Sequence, residues 1–126
     1  MVVIGVHMVK KKILVVDDEP INRDILKAFL EDDYAVDSVN DGERCLEYLE
    51  SNTPDMILLD LMMPFVDGYE VVKFLKSQEN YANIPVIICS ALDCRDDGRI
   101  DKNHYVDYIT KPLFEDEVKR KVGEYI

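Results

Sequence analysis

The sequence predicts an α/β fold, a doubly wound five-stranded parallel sheet with helices on both faces, and three observations carry that prediction. Five short apolar runs recur along 126 residues, several too continuously apolar to have one wet face. Segments with apolar residues at helical spacing separate them. Acids, a hydroxyl and an ammonium fall just past the carboxyl ends of the runs, on the rim where open parallel sheets bind ligands.

The elements follow in order. Ile13-Leu14-Val15-Val16 is a β-branched run ending in acid, the pattern of a strand buried on both faces. Pro20 stands where a helix can begin, and Ile21, Ile25 and Phe29, with Leu26 and Leu30, recur at helical spacing. A second strand is expected over Tyr34–Val39, then a helix through Leu46 and Leu49 with Asn40 and Glu43 as a capping-box start. Met56-Ile57-Leu58-Leu59 is the third strand, and Val71, Val72 and Leu75 mark the third helix. Ile84–Cys89 and Val106–Thr110 are strands four and five. Phe114, Val118 and Val122 step by four along a closing helix, in which Glu115-Asp116-Glu117 precede Lys119-Arg120-Lys121, the order the helix dipole favours. Between strands four and five, Asp93, Asp96, Asp97, Gly98 and Asn103 disfavour helix, so the fourth helix is expected to be short or irregular.

Composition narrows the function. One domain fits the length, over residues 10–126, with residues 1–9 read as a leader or remnant outside the fold. The net charge of −11, from 26 acidic and 15 basic residues, disfavours nucleic acid and anionic membrane and favours a cation or a basic partner. Cys45, Cys89 and Cys94 are an odd number without metal-ligand spacing; Cys45 and Cys89 read as small hydrophobes, and the set implies a reducing, cytoplasmic setting without a disulfide framework. No apolar run reaches the length of a membrane span.

Chemistry gathers at the strand ends. Asp17 and Asp18 follow strand one, Asp60 ends strand three, Ser90 ends strand four and Lys111 ends strand five. Each alone has a plain explanation: a helix cap, a loop acid, a strand-end hydroxyl, a lysine before a proline. Together they describe a site. Clustered carboxylates repel unless a cation is present, and oxygen ligands without His or Cys suit Mg²⁺. Asp60 is a candidate carboxylate nucleophile, Lys111 a compact positive charge for a phosphoryl group, and Ser90 a hydroxyl donor to it.

These residues lie in four motifs: Ile13-Leu14-Val15-Val16-Asp17-Asp18-Glu19-Pro20; Leu59-Asp60-Leu61-Met62-Met63-Pro64 with Asp67-Gly68; Ile88-Cys89-Ser90-Ala91; and Tyr108-Ile109-Thr110-Lys111-Pro112. Through them the chain resembles, from Lys11 to Ile126, the receiver domain of two-component response regulators, a flavodoxin-like fold. The resemblance implies that Asp60 is the phosphoacceptor, served by a sensor histidine kinase, a histidine phosphotransfer protein or a small phosphodonor. It implies Mg²⁺, with Mn²⁺ as a substitute, held by Asp17, Asp18, Asp60 and the Met62 backbone carbonyl. Lys111 would pair with Asp60 and then with the phosphoryl group, Ser90 and Tyr108 would act as switch residues, and Lys111-Pro112 would be cis. Phosphorylation would shift the population of partner-binding states. Output would pass to a downstream protein or an output domain beyond this chain, with homodimerisation as a further route.

The same resemblance makes Met62 and Leu92 the positions that tune water access to the acyl phosphate. Both are apolar, so slow autodephosphorylation is expected. His104 and Tyr105 replace a glycine-alanine pair common in such chains, so the partner face around residues 92–105 does not carry over. His104 reads as a surface histidine. Two other readings compete: a receiver-like interaction module that has lost phosphorylation, and a phosphohydrolase using an aspartyl-phosphate. Retention of all five site residues opposes the first. The second usually sets its nucleophile after strand one with another acid two positions on, and here Asp17 and Asp18 are adjacent. No turnover of an external substrate is expected.

Overall fold

The computed structural model describes residues 9–91 and 98–126. The expectations for residues 1–8, for Leu92 and Cys94, and for the acid-rich start of the fourth helix lie outside them. The described chain runs β1 (Lys12–Val16), α1 (Pro20–Leu30), β2 (Ala35–Val39), α2 (Gly42–Leu49), β3 (Met56–Leu59), α3 (Gly68–Ser77), β4 (Val86–Ser90), a 3₁₀ turn (Lys102–His104), β5 (Asp107–Thr110) and α4 (Glu115–Tyr125). The strands form one parallel sheet in the order β2-β1-β3-β4-β5.

The continuous apolar runs are explained by two cores. Alternate side chains of a strand point to opposite faces. Ile13 and Val15 of β1 join Met56 and Leu58 of β3 in a core with Leu26 and Leu30 of α1 and Val118 and Val122 of α4. Leu14 and Val16 join Ile57 and Leu59 in a second core with Cys45 and Leu49 of α2 and Val71, Val72 and Leu75 of α3. Both faces of the central strands are therefore dry. Burying each such side chain contributes roughly 1.5–3 kcal/mol before entropy is counted.

Several local expectations shift. The second helix is capped by Asp41, not Asn40: Asp41 has extended backbone and its Oδ1 accepts the Arg44 N–H at 2.7 Å. Ile21 and Phe114, expected on the apolar stripes of their helices, are 70% and 63% exposed; Ile21 lies in the first turn of α1 and Phe114 is the N-cap of α4. In α4 the basic triplet lies mid-helix rather than in the last turn. It reaches back to the acidic first turn instead, through Lys119–Glu115 at 3.2 Å and Lys121–Glu117 at 3.9 Å. β2 is an edge strand with Ala35, Asp37 and Ser38 exposed, so it is not buried on both faces.

The described part of the segment between β4 and β5 forms only the 3₁₀ turn, capped by Asp101, whose Oδ1 accepts the Asn103 N–H at 2.8 Å. Ile100 ties this segment to the core. The Lys111–Pro112 peptide bond is cis.

Candidate functional site

The sheet order puts β1 beside β3, with β2 and β4 to either side, so the chain reverses direction across the sheet between β1 and β3. In doubly wound folds this switch point opens a crevice at the carboxyl ends of the strands. Asp17 follows β1, and its N–H continues the ladder by donating to the Val39 carbonyl at 3.2 Å. Its Oδ1 accepts the Glu19 N–H at 2.9 Å, a side-chain turn that leads the chain into Pro20 and α1. Arg23, one turn into α1, donates from Nη1 to the Asp17 carbonyl at 2.8 Å.

Asp60 is placed from the other side of the crevice. Its N–H donates to the Val16 carbonyl at 2.9 Å, and its Oδ1 accepts the Met62 N–H at 3.1 Å. The loop that follows returns at once to α3. Gly68 donates to the Leu61 carbonyl at 3.1 Å, and a Cβ on Gly68 would meet the Asp60 carbonyl oxygen at 2.3 Å. Only glycine permits that approach. Asp67 caps α3 by accepting the Glu70 N–H at 3.0 Å.

Lys111 joins the two halves. Its N–H donates to the Ser90 carbonyl at 3.0 Å, which fixes it beside the end of β4. Its Nζ donates to Asp17 Oδ2 at 2.8 Å and to Asp60 Oδ2 at 3.0 Å. Asp17 and Asp60 are 1% and 4% exposed, and Ser90 is fully buried. Asp17, Asp18 and Asp60 each offer a carboxylate oxygen within 4.8 Å of the others. All five residues singled out in the sequence thus lie on one rim.

The electrostatics follow from burial. Desolvation raises the Asp17 carboxyl above its ordinary value, against the pull of Lys111 and the Glu19 N–H, and the Asp60 charge adds to the rise. Burial alone would lower the Lys111 ammonium, but its bonds to Asp17 and Asp60 outweigh that and raise it. Lys111 therefore stays charged through the neutral range. Lys111 pairs with two of the three carboxylates, Asp17 and Asp60, and the cluster's donor set is all oxygen with neither His nor Cys. That deficit of positive charge and that chemistry fit a hard divalent cation.

Tyr108 is 6% exposed and packs in the same core as Ile88 and Ile100. Met62 is 59% exposed at the mouth of the site. Three contributors were not read from the sequence. Arg23 holds the Asp17 carbonyl, which no spacing announces. Gly42 packs so closely that a Cβ would meet the Val66 carbonyl oxygen at 2.3 Å, a need visible only once α2 lies against the loop after β3. Arg99 stacks over the Tyr69 ring at 4.0 Å and, with Asp18 and Met62, lines a recess of about 400 Å³.

The family description "response regulator receiver domain" matches residues 13–123. The chain belongs to the response regulator receiver family. Response regulator PleD of Caulobacter vibrioides is 41% identical to this receiver over 105 residues, 81% of this chain but 23% of PleD. The receiver thus spans under a quarter of that relative. Among solved structures, response regulator TrrA of Thermotoga maritima in complex with Mg²⁺ and BeF superposes with a TM-score of 0.82 at 33% identity, covering 92% of this chain and 99% of that one. The receiver domain of sensor histidine kinase PA1611 from Pseudomonas aeruginosa, with a magnesium ion in its active-site cleft, gives 0.81 at 29% identity, covering 92% and 97%. The receiver fold and its place in two-component signalling follow from these likenesses. Among the described residues of the receiver, no helix is long and apolar enough to cross a membrane.

Proposed function

We propose that this receiver is a cytoplasmic phosphorylation switch over residues 10–126, in which Asp60 accepts a phosphoryl group in a Mg²⁺-dependent reaction. The observation that carries the reading is Lys111 Nζ bridging Asp17 and Asp60 at 2.8 and 3.0 Å inside a three-carboxylate cluster. Asp17, Asp18 and Asp60, with the Met62 carbonyl, would hold Mg²⁺ or, in its place, Mn²⁺. The ion's chemistry is to neutralise charge on the transferring group.

The protein's own residues divide the remaining work. An Asp60 oxygen attacks phosphorus and forms the acyl phosphate bond while the bond to the donor nitrogen or oxygen breaks, and the donor leaves with that electron pair. Lys111 is already charged and in contact with the acceptor, so it offsets oxyanion charge without first being reoriented. Ser90, at the buried end of β4, donates its hydroxyl to the phosphoryl group. Tyr108, in the α3-side core, responds to that movement and alters the partner-binding face. The donor is a sensor histidine kinase or histidine phosphotransfer protein. Output runs through a downstream protein, an attached output domain or a homodimer. External substrate turnover has no part in it.

Incubation with acetyl phosphate and Mg²⁺, read by intact mass, tests the reading. One phosphoryl adduct is expected on the unmodified chain, none on Asp60→Asn and none with EDTA. An unmodified chain that stays unlabelled with Mg²⁺ refutes the proposal.

A further inference from the structure

A group of polar side chains with no direct part in this chemistry on phosphorus lies at the carboxyl end of the edge strand. A cavity of about 470 Å³ there is lined by Arg23 of α1, by Ser38, Val39 and Asn40 at the end of β2, and by Arg44 of α2. We propose that this cavity binds a small phosphomonoester, gripped by Arg23 and Arg44, as a ligand site separate from the Asp60 centre.

The first argument is the chemistry of the lining. Its polar side chains are two guanidiniums, a hydroxyl and a carboxamide, and none is a carboxylate. In a chain with 26 acidic residues and a net charge of −11, two guanidiniums on one cavity, one of them also paired with Glu47, favour an anion there. A guanidinium presents a planar fork of donors that matches phosphate oxygens two at a time. A carboxylate fills one such fork. A phosphate has enough oxygens to engage both.

The second argument is preorganisation. Arg23 Nη1 donates to the Asp17 carbonyl at 2.8 Å, and Arg44 Nη1 donates to Glu47 Oε1 at 2.7 Å across one turn of α2. The bond to the Asp17 carbonyl orients the Arg23 fork, while the Arg44–Glu47 pair is half-exposed and leaves Arg44 free to turn toward a ligand; both bonds occupy only Nη1, so Nε and Nη2 keep donors. Ser38 of β2 and Asn40 just past its end both line the cavity.

Size and position refine the ligand class. The volume lies within the ~300–1,000 Å³ of small-molecule sites and leaves room beside a phosphate for a small organic group. A nucleic acid or a lipid surface would bring an extended polyanion against the acidic remainder of the protein. The cavity also adjoins the Asp60 centre through two hydrogen bonds: the Asp17 N–H donates to the Val39 carbonyl at 3.2 Å, and Arg23 donates to the Asp17 carbonyl. A ligand that holds Arg23 therefore steadies the loop that carries Asp17 and Asp18.

The test is an amide NMR titration of the full chain in EDTA at constant ionic strength. Glycerol 3-phosphate, inorganic phosphate and glycerol are the three probes. Without divalent metal, the three carboxylates repel phosphate, so the response reads the second site. Saturable shifts are expected at Arg23, Ser38, Asn40 and Arg44 with glycerol 3-phosphate, weaker ones with phosphate and none with glycerol. Arg44→Gln should raise the Kd about tenfold, roughly 1.4 kcal/mol of binding. Arg44 is half-exposed, so that variant keeps the fold, and an unchanged amide spectrum outside the cavity verifies this. Absence of saturation, an equal response to glycerol, or full affinity in Arg44→Gln overturns the site. Equal affinity for inorganic phosphate overturns its assignment to an ester.

Discussion

At Asp17, burial and pairing act in opposite directions, and burial wins. A carboxyl whose folded pKa lies above its ordinary 3.8 binds a proton more tightly in the folded chain. Its contribution to stability is thus complete below pH 3.8 and is lost as pH rises through the folded value. At neutral pH the ionised group is a standing cost to the metal-free fold. Asp17→Asn removes that cost and retains an acceptor for the Glu19 N–H. In EDTA at pH 7 its Tm should exceed that of the parent by a few degrees, the response expected for roughly 1 kcal/mol. With Mg²⁺ the order should reverse, because the variant has lost a ligand. Thermal melts with and without metal decide it, and a variant less stable in EDTA contradicts the account. Met62 is a second single-residue test. Its exposed apolar side chain stands at the mouth of the site and cannot orient water. Met62→Asn should speed loss of the phosphoryl group about tenfold, roughly 1.4 kcal/mol off the barrier, measured as acyl phosphate half-life. An unchanged half-life removes Met62 from the control of hydrolysis.

Elements, rather than single contacts, hold the loop between β3 and α3 in place. It is gripped at Gly68, where a Cβ would strike the Asp60 carbonyl, and at Gly42, where a Cβ would strike the Val66 carbonyl. The backbone at Phe65 adds to the constraint, since its φ of 64° lies in the left-handed region that L-residues disfavour. Gly42→Ala should therefore push the loop outward, costing about 1–3 kcal/mol and weakening the Mg²⁺-induced rise in Tm. Gly123, inside α4, has open space where its Cβ would stand, so Gly123→Ala should gain roughly 0.5–1 kcal/mol and leave the metal response intact. Denaturant melts of both variants at several Mg²⁺ concentrations separate the effects. A normal metal response in Gly42→Ala would mean that α2 does not position the site.

The local sequence specifies strands and strand ends more closely than it specifies how elements approach one another. Met56–Leu59 was readable to the residue because a strand dry on both faces leaves no ambiguity of pattern. The five rim residues were readable because strand ends are positions along the chain. Ile21 and Phe114 depart from expectation because helical spacing shows a stripe but not which of its members fall at a helix start and stay exposed. The α2 cap moved from Asn40 to Asp41 because both can cap and only the backbone path chooses. Gly42, Arg23 and Arg99 act through tertiary approach, for which the local sequence carries no mark.

For the molecule as a whole, a net charge of −11 and the buried acid cluster both make negative charge a burden on the fold, but at different ranges. Diffuse surface repulsion is screened by any salt, over a Debye length of about 10 Å at 0.1 M. Two of the cluster's three carboxylates, Asp17 and Asp60, are buried and poorly screened, so the cluster favours an ion among its own oxygens. NaCl and Mg²⁺ should then stabilise the protein by separable routes. In EDTA, added NaCl should raise Tm gradually, and Asp18→Asn should leave that slope nearly unchanged, since it removes one charge of many. Mg²⁺ at constant ionic strength should add a saturable rise, about 2.7 kcal/mol at one hundred times its Kd. Asp18→Asn should abolish most of it. Melts of the two proteins in both salts make the comparison. Equal Mg²⁺ responses would show that the cation acts on the diffuse charge and that Asp18 is not a ligand. Loss of the Mg²⁺ response with the NaCl slope retained assigns the effect to the cluster, the same ion site on which phosphotransfer to Asp60 depends.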